Sequence, residues 1–321
     1  MKLTKRNHYN PCFWTALWNV SYYEKAVAGL SSNELARKQV VHTLNARSLK
    51  IYPAAVERVH YDKNLGVAEI TKQAAEDFVQ RHHPDQYERF AAESATASYP
   101  IYIDFESVLS GIEATPGYQT LLKVATTQTV GNLIEKSYLA SFVVIQNLRS
   151  HSMMNAMIDW HEEIGCEKFE HLVTLKWMLS DPRFLFRLVH PLVSSKWILY
   201  TSAEHCLPLC DSPVLVQPTS VMVALSPRLL LEIRTDTPAP EDAMPILQKI
   251  RSEGLEEYRL RTIGNTFREV IGEPKQLERW CASSEFQARS ELMKDVKRYN
   301  TLVRATGNRE LWHLNAYANH M

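Results

Sequence analysis

The sequence predicts an α+β fold: a mainly helical single domain carrying a small antiparallel β-meander. Three observations predict it. Glycine is scarce, 10 in 321 residues, which favours helices over a turn-rich β architecture. From about residue 132 to 163, Leu139, Phe142, Val143, Gln146, Met153, Met157 and Trp160 recur at the 3.6-residue period of one helix face. From about 197 to 234 the texture changes to short β-prone runs joined through prolines.

In chain order, the aromatic-dense opening (Tyr9, Phe13, Trp14, Trp18, Tyr22, Tyr23) buries enough area to dock on the body. Ser31-Ser-Asn-Glu-Leu has the cap residues of a helix start. Leu49 to Pro53 reads as extended. Thr71 to Ala97 is helical with a break at Pro84, and Tyr99 to Phe105 fits either a short strand or a helix entry. The long helix spans about Asn132 to Glu163. A second runs from Cys166 to Leu179 and stops at Asp181-Pro182, with one further turn over Arg183 to Val189. Trp197–Thr201, Pro213–Gln217, Val221–Leu225 and Leu229–Arg234 are the strands of the meander. Thr237-Pro-Ala-Pro-Glu-Asp is a loop leading into helices over Met244–Ser252, Glu256–Ile271 and Gln276 to about Ala305. The division is a helical body at about 20–190, the small sheet at about 195–235 and C-terminal helices at about 243–305, without a linker, repeat or low-complexity tract between them.

Composition bounds the function classes. A 45% hydrophobic content supports a large core, and 22% charged residues is ordinary for a globular chain. Lys plus Arg and Asp plus Glu are both 36, so there is no strong nucleic-acid signal, although Arg251, Arg259, Arg261 and Arg268 could form a local basic strip. No apolar stretch approaches the roughly 20 residues of a membrane span. The basic opening lacks the apolar region of a secretory signal. Five scattered cysteines suit reduced thiols, and a cytoplasmic location is expected.

A few polar groups interrupt apolar surroundings, and each has two readings. His8 is either an acid, base or ligand fixed by packed aromatics, or a half-buried histidine bonded to a backbone carbonyl. Gln146 breaks the apolar helix face with Arg149 one turn on. A guanidinium there is either a clamp for a carboxylate or phosphate, or a structural arginine paired with an internal acid such as Asp211. Asp211, before Ser212-Pro213, is either an active-site carboxylate at a strand mouth or the cap of an Asx turn. His205 with Cys206 and Cys210 lacks the second ligand pair of a zinc site. His151, Asn155, Asp159 and Glu162 read as a solvated helix stripe, and His82-His83-Pro84 as a surface helix end. No Walker or dinucleotide-binding glycine pattern is present.

Taken together, these motifs resemble a bacterial family known as domain of unknown function 4238. Its opening, His-Tyr-x-Pro with an aromatic, is matched by His8-Tyr9-Asn10-Pro11 and Phe13-Trp14. Its Gln-x-x-Arg helix is matched by Gln146-Asn-Leu-Arg149. Its Trp-bearing strand and Ser-Asp-x-Pro-Val element are matched by Trp197 and by Cys210-Asp211-Ser212-Pro213-Val214, with Cys replacing the first Ser. Its Pro-Leu-Ser-Pro strand end is matched by Ala224-Leu225-Ser226-Pro227, with Ala replacing the first Pro, and its late helical Asn by Asn265. The likeness runs from about residue 7 to 273. The family carries no established activity, so the resemblance implies a fold and a site location.

Two function classes follow. In the first, the chain is a bacterial hydrolase acting on a phosphate-containing or nucleotide substrate. His8, Asp211 and Asn265 are catalytic, and Tyr9, Gln146, Arg149 and Ser212 bind the ligand. A divalent metal would be the cofactor class and a small anionic ligand or nucleotide the partner. In the second, the same residues form a structural polar network in a non-enzymatic binding or interaction module.

Overall fold

The computed structural model describes residues 6–63, 66–105, 109, 111 and 116–296. Strand β1 (Arg6–His8) leads into α1 (Cys12–Thr15), α2 (Val20–Val27) and α3 (Asn33–Arg37). Next come β2 (Val40–Asn45), β3 (Ile51–Ala55), β4 (Tyr61–Lys63), β5 (Val67–Ile70), α4 (Lys72–His82), α5 (Tyr87–Ser94) and β6 (Ile101–Asp104). The helical body follows: α6 (Pro116–Thr127), α7 (Leu133–Leu148), α8 (His151–Glu163), α9 (Lys168–Ser180) and α10 (Pro182–Val193). Strands β7 (Ser195–Thr201), β8 (Leu209–Cys210), β9 (Leu215–Val216), β10 (Ser220–Ser226), β11 (Leu229–Pro238) and β12 (Ile246–Lys249) come next. Helix α11 (Ser252–Asn265), β13 (Glu269–Ile271), α12 (Pro274–Cys281) and α13 (Ser284–Leu292) complete the described chain. The fold is α+β, as the helical periodicity and the proline-bounded strands predict.

Two sheets frame the molecule. The larger has the order β12-β7-β11-β10-β9, antiparallel except for the parallel β12–β7 pair. Its alternation separates two faces. Val221, Val223, Leu225, Leu229, Leu231 and Ile233 enter the main core with the helical body, whereas Met222, Ala224 and Leu230 pack with Tyr258 of α11. Both faces are covered there, which is why β10 is buried at every position. The second sheet, β3-β2-β13-β8, stitches the N-terminal third to the C-terminal helices.

The aromatic opening is docked as expected. Trp14 is fully buried, edge-on to Phe142 at 5.0 Å, and its indole N–H donates to Leu225 O at 3.1 Å. Ser32 and Asn132 cap α3 and α7, and the break at Pro84 stands between α4 and α5.

Several expectations are corrected. The stretch 132–163 is two helices, not one. Arg149 ends α7, and Ser150, at ψ 150°, turns the chain before α8 begins. Apolar period alone missed this because no glycine or proline marks the break. Met244–Ser252 is not a helix: β11 runs on to Pro238, and Ile246–Lys249 forms edge strand β12, exposed at all four positions. The predicted Glu256–Ile271 helix ends at Asn265, and Glu269–Ile271 becomes β13 because β2 and β8 offer it ladder partners. The terminal helix is two short ones, α12 and α13. Its predicted part beyond residue 296 lies outside the described residues.

Lys136, in the first turns of α7, is wholly buried. Its ammonium donates to Glu241 O at 3.1 Å and Ala243 O at 3.0 Å and lies 5.6 Å from the Trp197 ring centroid. It thereby ties the loop before β12 to the helical body. Lys136→Met keeps the volume and leaves two carbonyls without their donor, so a loss of about 2 kcal/mol is expected. Urea melts would register it, together with faster proteolysis at residues 239–243. An unchanged melt would mean that water replaces the ammonium at no cost.

Candidate functional site

Asp211 follows β8, where the ladder to β13 ends. Its backbone N–H donates to Glu269 O at 3.1 Å. Its carboxylate is wrapped by the chain that leaves α11: Oδ1 accepts from Phe267 N (2.9 Å), and Oδ2 from Arg268 N (2.6 Å) and Glu269 N (3.0 Å). Oδ2 also faces His151 Nδ1 at 3.3 Å. Burial by itself raises the pKa of this fully enclosed carboxyl. The His151 hydrogen bond and charge, the nearby His60 and the Phe267 amide outweigh burial and hold it below the usual carboxylate range.

Asp211 and Ser212 also start α8. Ser150, the residue at the helix N-cap, makes no side-chain capping bond. Instead Asp211 O accepts from His151 N (3.2 Å) and Ser212 Oγ accepts from Ser152 N (3.0 Å). These are orphan donors of a helix start, capped from a distant segment. Asn265, the last residue of α11, donates from Nδ2 to Ser212 O and to Val214 O, the latter at 3.3 Å. It fixes the same loop from the other side.

Gln146 and Arg149 hold the N-terminal segment. Gln146 Nε2 donates to Tyr9 O (2.6 Å) and Asn10 Oδ1 (2.7 Å). Arg149 Nη2 donates to His8 O, and Nη1 reaches the Tyr118 hydroxyl at 3.5 Å. The Tyr9 ring stacks on His151 at 4.1 Å, and the Phe267 ring lies tilted against His151 at 4.2 Å. Asn10 Nδ2 donates to Cys210 O (2.9 Å) and meets His60 Nδ1 at 2.7 Å.

This wiring fixes a tautomer. The Gln146 donor sets the Asn10 amide orientation, so Asn10 Nδ2 is the donor toward His60. Nδ1 of His60 therefore accepts, and its Nε2 carries the proton. That Nε2 and Gln146 Oε1 are buried without a partner among the described residues. Burial lowers the His60 pKa despite the opposing charges of Asp211 and Glu269. The residue sits at φ +49°, a conformation unusual for a side chain of this size. Its backbone N–H donates to Glu269 Oε2 (3.1 Å), and Glu269 Oε1 accepts from Tyr52 OH (2.8 Å).

His8 is half-buried at the rim. Its Nδ1 lies 3.9 Å from Cys12 Sγ, and burial first, then the Arg149 charge, brings its pKa down to about 4. The ring is thus neutral at pH 7.

The structure therefore gathers His8, Tyr9, Gln146, Arg149, Asp211, Ser212 and Asn265 around one bonded cluster. It pairs them differently from the sequence expectation. Asp211 holds His151, because the start of α8 lies against the Asp211 loop. The suggested Asp211–Arg149 pair is absent, since Arg149 reaches back to the N-terminal strand. Asn10, His60, His151 and Glu269 belong to the cluster and were missed. Asn10 lay inside the His-Tyr-x-Pro motif, His151 was read as solvated but is buried, and His60 and Glu269 carry no local signal.

Among the described residues no group of three or more His, Cys, Asp or Glu side chains could hold a metal ion. Cys206 and Cys210 are free thiols, bonded to Ser202 Oγ and Ser212 O. The basic strip is largely matched by acids: Arg259 pairs with Glu256, Arg261 with Glu257, and Arg268 approaches Glu269. No described helix is long and apolar enough to cross a membrane. A groove of about 810 Å³ lies on the large sheet and is lined by none of the predicted site residues. Comparison with family models, curated proteins and solved structures finds no match to this chain.

Proposed function

We propose that the chain is a binding module of the domain of unknown function 4238 type, in which the predicted site residues form a structural polar network. One observation carries this reading: both oxygens of Asp211 accept bonds from three consecutive backbone amides and His151. A fully buried carboxylate with three such contacts on Oδ2 and one on Oδ1 is turned toward its own backbone rather than presented to a metal or a substrate. Gln146, Arg149 and Asn265 likewise donate to backbone carbonyls: the first two tie the N-terminal segment to the helical body, and Asn265 fixes the loop that carries Asp211.

The hydrolase reading is favoured by a different observation. His8 is neutral, half-buried and within 3.9 Å of a thiol, the state in which an imidazole serves as a base. The two readings separate on one experiment. The full chain is incubated with phosphomonoesters, phosphodiesters and nucleotides, with and without Mn²⁺ and Mg²⁺, beside His8→Ala and Cys12→Ser. The binding-module reading expects no turnover above the uncatalysed rate. Turnover abolished by His8→Ala in a folded variant would overturn it.

A further inference from the structure

Strand β12 is the last strand of the large sheet, and its outer edge carries unused main-chain groups. It lies parallel to β7, in the register Ile246–Ile198 to Lys249–Thr201. Ile250 N donates to Thr201 O at 2.9 Å, and Gln248 O accepts from the Thr201 hydroxyl at 3.3 Å. In a parallel ladder, residues that bond the neighbouring strand alternate with residues whose N–H and C=O point away from it. Ile246, Gln248 and Ile250 therefore face β7, and Leu247 and Lys249 turn both main-chain groups outward. An edge of this kind is a template for pairing with another chain.

The side chains along this edge are apolar and uncovered. Leu247 is 56% exposed, Ile246 43% and Met244 41%. The loop before the strand is anchored, because the Lys136 ammonium holds Glu241 O and Ala243 O. The edge is thus presented in one place, and a partner has little left to order.

Charge selects the partner and its direction. The acidic turn Glu241-Asp242 precedes β12, and Lys249 and Arg251 stand at its other end. A second copy laid parallel sets lysine beside lysine and acid beside acid, which like charges oppose. Laid antiparallel about a twofold axis, each acidic turn lies toward the basic end of the other copy. The phase of the ladder then limits the register, because hydrogen-bonded pairs form only between residues that point outward. With Leu247 on the axis, it meets its counterpart and exchanges both bonds with it. Lys249 falls opposite Pro245, whose carbonyl accepts the Lys249 N–H. The other outward register sets Leu247 against Lys249 and draws the two ammonium groups into diagonal contact. Proline and lysine are the residues that deter edge pairing. Here they face each other, so they deter parallel and shifted copies and admit this one.

We propose that the protein pairs with a second copy of itself through β12, the two large sheets joining into one across a twofold axis at Leu247. The contact is short, and small interfaces associate weakly, so the dimer is reversible and depends on concentration. It goes beyond the network reading and uses none of the residues around Asp211.

The test is sedimentation velocity of the full chain over a range of concentrations, with amide hydrogen exchange read at Leu247 and Lys249. The mass is expected to rise from monomer to dimer, and exchange at both amides to slow with it. Leu247→Lys places two ammonium groups on the axis. Leu247→Pro removes the exchanged N–H and spares the bonds to β7. Each is expected to weaken association at least about tenfold, with the melting temperature of the monomer little changed. Ile164→Lys, at a position of like exposure (55%) at the end of α8, is expected to leave association unchanged. A monomer at every concentration would overturn the proposal, whether its edge amides exchange freely, and so stay open to an extended peptide, or are protected by another part of the chain. A dimer that both Leu247 variants retain would overturn it as well.

Discussion

Asp211→Ala is expected to destabilise the fold by about 4 kcal/mol, the largest effect of any single substitution in the cluster. The alanine leaves Phe267, Arg268 and Glu269 N–H without their acceptor in a site that is 1% exposed, and it removes the partner of His151 Nδ1. Each stranded buried donor costs about 1–3 kcal/mol, reduced where water enters the space the carboxylate leaves. In a chain of this size the melting temperature would fall by roughly 10 °C. Asp211→Asn should cost less, because its remaining oxygen still accepts while its new N–H₂ confronts a backbone donor. Asn265→Ala, at a part-buried position with two carbonyl partners, should cost about 1 kcal/mol. Denaturant melts of the three variants give the order directly. A loss for Asp211→Ala no greater than that for Asn265→Ala would refute the wrapped carboxylate as the keystone of the network.

What could be read ahead of the structure follows the range of the forces involved. Caps and breaks act within a few residues, so Ser32, Asn132 and the Pro84 break were legible. The Asx-turn reading of Asp211 fails, because its carboxylate accepts from the amides of Phe267, Arg268 and Glu269, more than 50 residues on, rather than from its own neighbours. The break at Arg149-Ser150 was not legible, because Ser150 is capped by nothing local and the donors of α8 are met by Asp211 and Ser212, some 60 residues on. Edge strand β12 is exposed throughout and lacks the alternation that would mark it. Strand β13 exists because β2 and β8 flank it, a condition written more than 50 residues away. His8, Gln146 and Arg149 were found by their oddity among apolar neighbours, and Asn265 through the family resemblance. Their pairing was not, because His60 and Glu269 come from segments that look ordinary alone.

The second large effect is on acid stability, which is expected to decline from near pH 6.5 rather than from the carboxylate range. Three histidines are held neutral inside. Burial, then the Arg149 charge, lowers His8 to about 4. Burial, then His161 and Lys168, lowers His171 to about 3. Burial lowers His60 as well. An unfolded histidine titrates near about 6.5. Each folded value is below the unfolded one, so the unfolded chain takes up protons that the folded chain refuses. The stability these groups contribute is therefore complete above about pH 6.5. It is lost as pH falls from there through about 4 for His8 and about 3 for His171. Asp211, also depressed, extends the loss below about pH 4 in the same direction. Between pH 6 and 4.5 His8 and His171 should bring the slope toward about two protons per molecule, and His60 adds to it in the same direction. Urea melts at half-unit steps measure it, and His171→Gln should remove about one proton from the slope whatever it does to stability at pH 7. A midpoint that stays level from pH 7 to 5 would mean that these rings are protonated in the folded state. In that case Nδ1 of His60 would carry a proton toward Asn10, and the neutral tautomer deduced from Asn10 and Gln146 would be wrong.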